Sequence, residues 1–277
     1  MLKKLLKYDF NAIFKYWWIG ALTTIILAIA GAGCGSILET EKDLPASVTI
    51  FATIGMVLVV LGIFAFIIFS ELLVCVRFYK HLFTDEGYLT FTLPVKRHQI
   101  LSSKIISGFV CGFLTVLVAA VDAAIIILTT FRKDIFVDGW YEKLMKIINE
   151  LIAEDRLLYL ITFFAEILIV FVLVLALSVL FAYLCITFAG AISKKSKLAS
   201  AILMYYGATS VSSVFMYMLY FFGISSIFEW IDALPDEDIQ NTILLVLLLL
   251  VILFISMLCF IAYTLNNHLL DRKLNLN

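Results

Sequence analysis

Six apolar stretches, at residues 17–38, 48–76, 105–131, 157–192, 198–228 and 242–265, constrain this chain more than any other feature. About 20 apolar residues in a helix cross the hydrocarbon of a bilayer, and a lipid-exposed segment must satisfy its own backbone hydrogen bonds. Helices are therefore the expected spanning elements. Charged residues make up 15% of the 277, against about 25% in a soluble chain, and they gather in strips between the apolar stretches. The expected fold is an all-α membrane protein with six transmembrane helices. The second, fourth and fifth stretches are long enough to tilt or to project beyond the hydrocarbon.

Orientation follows from Lys and Arg, which concentrate on the cytoplasmic side. Lys3, Lys4, Lys7 and Lys15 precede the first span, Arg77, Lys80, Lys96, Arg97 and Lys104 lie between the second and third, Lys194, Lys195 and Lys197 between the fourth and fifth, and Arg272 and Lys273 in the tail at 266–277. All of these strips fall on one side. The opposite strips hold Glu39, Glu41 and Asp43, a mixed segment at 132–156, and Glu229, Asp232, Asp236, Glu237 and Asp238. Both termini are thus expected in the cytoplasm, and the chain in a bacterial plasma membrane. Lys3, Lys4 and Lys7 ahead of an apolar run that reaches Ala32-Gly33-Cys34 have the outline of a lipoprotein signal. Gly31 stands where such a site wants Leu, and the run is long enough to span, so a retained helix is expected.

Two further segments have helical amphipathic spacing. In the first segment, 1–16 with Trp17 at its end, Leu2, Leu5, Leu6, Phe10, Ile13, Phe14 and Trp17 oppose Lys3, Lys4, Lys7 and Asn11, a pattern expected of an interfacial helix on the inner surface. In 132–156, Leu144, Ile147, Ile148, Leu151 and Ile152 oppose Glu142, Lys143, Lys146 and Glu150, with Asp138 as an N-cap, predicting a helix on the outer surface.

Little of the sequence points to covalent chemistry. No Gly-x-x-x-x-Gly-Lys-Ser/Thr loop occurs, so ATP and its Mg would be held by a partner. Cys34, Cys75, Cys111, Cys185 and Cys259 fall inside apolar stretches without metal-ligand spacing, His81, His98 and His268 lie at their ends, and no metal site, bound cofactor or nucleic-acid partner is expected. Asp122 and Glu166 lie within the third and fourth spans, where an unpaired charge costs about 3 kcal/mol or more. Depth counting puts both in the outer half of the bilayer, either lining a transport path or tied into the structure by a neighbouring hydroxyl. Glu71, near the inner end of the second span, fits a snorkelling or ion-paired role. Gly31 with Gly35, and Gly108 with Gly112, have the four-residue spacing that lets two membrane helices approach closely, within one subunit or between two.

The strip at 77–104 reads RFYKHLFTDEGYLTFTLPVKRHQILSSK and is too patterned for a plain connector. Thr84 can N-cap a short helix opened by Asp85 and Glu86, Leu89, Phe91 and Leu93 supply apolar contacts, and Pro94 ends the segment. Glu86-Gly87-x-Leu89, Leu93-Pro94-Val95-x-Arg97, Ile100-Leu101 and Lys104 together resemble the loop between spans two and three of ABC-2-type transporter permeases. Relative to that pattern the Gly-to-Pro distance is shorter, Tyr88 replaces the usual Thr, and Leu93 precedes the Pro. The longest outer segment here lies between spans three and four, where that family often places it between five and six. The resemblance implies a coupling helix that docks on an ATPase subunit through Phe83, Asp85, Glu86, Tyr88, Leu89 and Phe91.

It further implies a membrane subunit, not itself an enzyme, of an ATP-binding cassette exporter: two six-helix halves, identical or paralogous, above two ATPase subunits. Apolar, aromatic-rich spans surrounded by membrane lipid favour an amphipathic or lipid-like cargo such as a peptide or drug. The competing expectations are a non-transporting scaffold or sensor, and an ion-coupled carrier built on Asp122 and Glu166.

Overall fold

In the computed structural model the described residues are 2–40, 45–84, 86, 87, 97–130, 142, 145, 146, 149, 157–192, 197–219, 229–231, 234 and 237–272. Among them the chain is helical, without strands. Six long helices follow one another: α1 Leu2–Thr40, α2 Ala46–Phe83, α3 Arg97–Thr130, α4 Leu157–Ile192, α5 Lys197–Leu219 and α6 Glu237–Arg272. Five of them, α1 to α4 and α6, are long and apolar enough to cross a membrane. The chain is a helical, multi-pass membrane protein. The expected fifth span, 198–228, begins in α5, where Ser200, Thr209, Ser210, Ser212 and Ser213 dilute the apolar run, and its second part lies outside the described residues.

Helix ends differ from the expected ones in two instructive places. The division between an interfacial helix at 1–16 and a span from 17 is not a helix break, because α1 runs unbroken from Leu2 to Thr40. Of the apolar stripe, Ile13 and Trp17 are buried, with Asp9 and Ala21 on the same every-fourth-residue line, while Leu5, Leu6, Phe10 and Phe14 are half-buried. Likewise the strip at 77–104 is mostly helix, α2 continuing to Phe83 and α3 starting at Arg97, so that the connection proper is 84–96. Of the segment 132–156, expected on the outer side, only Glu142, Met145, Lys146 and Asn149 are described; they are helical and exposed, while Asp138 and the apolar stripe lie outside the described residues.

The chain divides into two compact units, 1–77 with 106–154, and 78–105 with 155–277. In the first, α1 and α3 run parallel, with Trp17 level with Thr115 and Gly35 level with Thr130. Antiparallel to both, α2 brings Phe66 against Gly20, Gly62 against Leu27 and Val59 against Gly31. Gly31 is a place where only glycine fits, since any Cβ there would overlap the Val59 side chain. Small residues on both helices let the backbones close up, as membrane helices do in the absence of a hydrophobic drive between them. A buried polar seam ties the three helices: Trp17 Nε1 donates to Thr115 Oγ1 at 2.8 Å, which lies 2.6 Å from Ser70 Oγ, itself 3.5 Å from Cys111 Sγ.

In the second unit α4 is central and packs on both α5 and α6. Asn266 of α6 is fully buried and sets the register with α4, accepting from Thr187 Oγ1 at 3.1 Å and donating to the Leu180 carbonyl at 3.0 Å. Cys259 Sγ donates to the Leu173 carbonyl at 3.7 Å farther along the same pair. Phe181 faces Tyr205 of α5.

Candidate functional site

The segment that most resembles a functional motif is the connection between α2 and α3, and its two bases are held firmly. Phe78, near the end of α2, is fully buried and stacks on Tyr183 of α4 with ring centroids 3.9 Å apart and planes 9° from parallel. Tyr183 in turn donates its hydroxyl proton to the carbonyl of Lys104 in α3 at 3.0 Å. One aromatic side chain of α4 thus grips both ends of the connection. Leu82, Ile100 and Leu101 are buried alongside, and the Lys104 side chain is itself buried. Phe83 completes the clamp, its ring lying on Gly190 near the end of α4, where a Cβ would overlap it, with Tyr79 and Phe78 as neighbours.

The first described residues after α2 make a turn. The Thr84 hydroxyl, expected to cap the following turn, bonds back to the Lys80 carbonyl and finishes α2. The Thr84 carbonyl accepts from the Gly87 amide at 2.7 Å, making a single turn. At Gly87 a Cβ would stand 2.6 Å from the Leu82 carbonyl oxygen, so the motif glycine is required by the approach of the turn to the end of α2. Glu86 is exposed. Of the residues expected to dock a partner, Phe83 is half-buried against α4 and Glu86 projects outward, while Asp85, Tyr88, Leu89 and Phe91 lie outside the described residues.

Arg77 and Phe78 are adjacent in sequence and anchored in different units. Arg77 Nε lies 3.7 Å from Asp9 Oδ1 of α1, with Asp9 almost wholly buried, whereas Phe78 belongs with Tyr183. Residues 78–105, which carry the motif, group with α4, although the helices on either side of them run into the first unit.

The two intramembrane carboxylates belong to different units. Asp122 has no exposed surface, and neither carboxylate oxygen has a hydrogen-bond partner among the described residues. Thr24 faces it from α1 while donating to the Ala21 carbonyl. Because Trp17 is level with Ser70, the neighbour of Glu71, the facing Thr24 stands only seven residues, about 10 Å of helix, above the first charged level. Glu166, in α4, is half-buried, with Oε2 enclosed and without a hydrogen-bond partner among the described residues. Of the glycines expected at helix contacts, Gly31 meets Val59, Gly35 meets Thr130 and Met56, Gly108 is buried, and Gly112 faces open space. The described contacts of Gly31 and Gly35 lie within this chain.

Asp9, Phe78, Tyr183 and Asn266 are not singled out by the sequence, and Arg77 enters there only as a cytoplasmic charge. Asp9 carried a signal, being the sole acid before Glu39 and standing on the apolar side of α1; the aromatic pair carried none, because its members are 105 positions apart in the chain. None of the five cysteines is in a disulfide, and among the described residues no group of His, Cys, Asp or Glu could hold a metal. Comparison with protein-family profiles, curated proteins and solved structures finds no match for this chain.

Proposed function

We propose that this chain is the membrane subunit of an ATP-binding cassette exporter of the ABC-2 type. It works as one of two six-helix halves, with α5 as the fifth span, and each half docks one ATPase subunit that binds ATP and Mg. Both termini and the α2–α3 connection face the cytoplasm of a bacterial cell. The observation that carries this reading is the way the connection is mounted: a sequence resembling a coupling loop is clamped at both bases to one helix, α4, through Tyr183. A load applied at the loop would reach α4 directly, and α2 and α3 lead it into the other unit. That is the mechanical arrangement alternating access requires, where closure of the ATPase pair repacks the membrane halves. The apolar, aromatic-rich spans favour an amphipathic or lipid-like cargo.

The test is docking. Interface energy concentrates in a few large side chains, and replacing Tyr88 and Phe91 with Ala should weaken docking by about 1–3 kcal/mol. The expected outcome is loss of ATPase co-purification and of transport with membrane insertion unchanged. A double variant that binds and stimulates the ATPase as wild type does would remove the loop from the coupling role.

A further inference from the structure

The first four turns of α1 have two unlike faces. Asp9, Ile13 and Trp17 are buried on one, and Lys3, Lys4, Lys7, Asn11 and Lys15 are exposed on the other. Asp9 is the only acid before Glu39, and it points to Arg77 on the buried side. The exposed stripe therefore carries four ammonium groups and no carboxylate. Exposed Tyr16 and Trp18 sit at its upper end, the ring of Tyr16 beneath Lys15 Nζ at 5.7 Å, and such amphipathic rings settle at headgroup level.

The unbroken course of α1 fixes the height of this stripe. Lys15 stands just below the level of Trp17, where the apolar section of the first unit begins, interrupted among the described residues by Asp122, and Lys3 is about 18 Å of helix farther out. A headgroup layer of about 5–8 Å followed by a screening length of about 8 Å covers nearly all of that distance. We propose that this stripe binds the phosphate groups of anionic phospholipids in the leaflet on the N-terminal side of the membrane. The charge complementarity is one-sided, the stripe leads directly into the bilayer, and its aromatic end matches the lipid interface. An acidic protein would need none of these aromatic anchors. The inference stands independently of any ATPase partner.

The experiment uses the full-length chain in neutral detergent, titrated with short-chain phosphatidylglycerol or phosphatidylcholine, with the thermal unfolding midpoint as readout. Phosphatidylglycerol should raise the midpoint and phosphatidylcholine should not. K7Q/K15Q should lower the apparent affinity for phosphatidylglycerol about 25-fold, at about fivefold per lysine, and K7R/K15R should keep it. If K7Q/K15Q fails to insert, K3Q/K4Q leaves the two lysines nearest the bilayer in place and should still lower the affinity. Equal response to the two lipids, an equal shift with inorganic phosphate, or an unchanged affinity in the Gln variants would overturn the proposal. So would a Gln variant that keeps the lipid response and loses a co-purifying protein, which would make the stripe a protein-binding surface.

Discussion

Asp122 and Asn266 show how differently a membrane protein can treat a buried polar side chain. Asn266 is satisfied by Thr187 and the Leu180 and Ala262 carbonyls, and it holds α4 and α6 in register. Asp122 is equally enclosed, yet its two oxygens lack hydrogen-bond partners among the described residues. A group left in that condition destabilises the fold, and a chain tolerates such a local conflict where function asks for it. Asp122→Leu, similar in size and without the unmet polar atoms, should therefore raise the stability of the detergent-solubilised protein by about 1–3 kcal/mol while lowering transport. Chemical denaturation and a vesicle transport assay read the two quantities separately. Unchanged transport would return Asp122 to a packing role. That Asp122 is a carboxylate inside an apolar run was legible in the sequence. Its neighbour was not, because only packing brings Thr24 of α1 to face it.

Among the elements, α2 carries residues of both units. Arg77 is held by Asp9 of α1, and the next residue, Phe78, by Tyr183 of α4. The start of α1 continues into the span as one helix, and an apolar stripe beside lysines suits a membrane surface and a protein core equally well. Asp9, a carboxylate on the apolar face, adds a demand of its own, since it is costly in lipid and is met here by Arg77. Asp9→Asn or Arg77→Gln should each destabilise the protein by about 2 kcal/mol, below the range of a fully enclosed pair because Arg77 is partly exposed. The exchanged pair D9R/R77D should recover at least half of the loss, as a shift of the unfolding midpoint toward wild type. An exchange no better than the single variants would show that the ion pair does not carry the contact. The motif glycine, by contrast, was readable in advance, and the close approach of the turn to the Leu82 carbonyl supplies its reason.

For the whole molecule, the helical membrane class was legible because hydrocarbon thickness and backbone hydrogen bonding permit so few alternatives. The number of crossings was harder to read, and α5 is the cause. Its hydroxyls at Thr209, Ser210, Ser212 and Ser213 all turn back to carbonyls of its own helix, which lowers their cost in lipid without making the segment apolar. Whether α5 crosses has a clear consequence for topology. With six crossings, residue 195 and residue 277 share the cytoplasmic side with residue 1, and Asp236 is external. With α5 left on one side, residue 195 and Asp236 would share a side, and residue 277 would be on the face opposite residue 1. Single cysteines placed at 195, 236 and 277, in a background lacking the five native ones, should react with a membrane-impermeant maleimide on intact cells only at 236. Labelling at 277 with protection at 236 would reduce the protein to five crossings, and a paired six-helix exporter half could not be built from it.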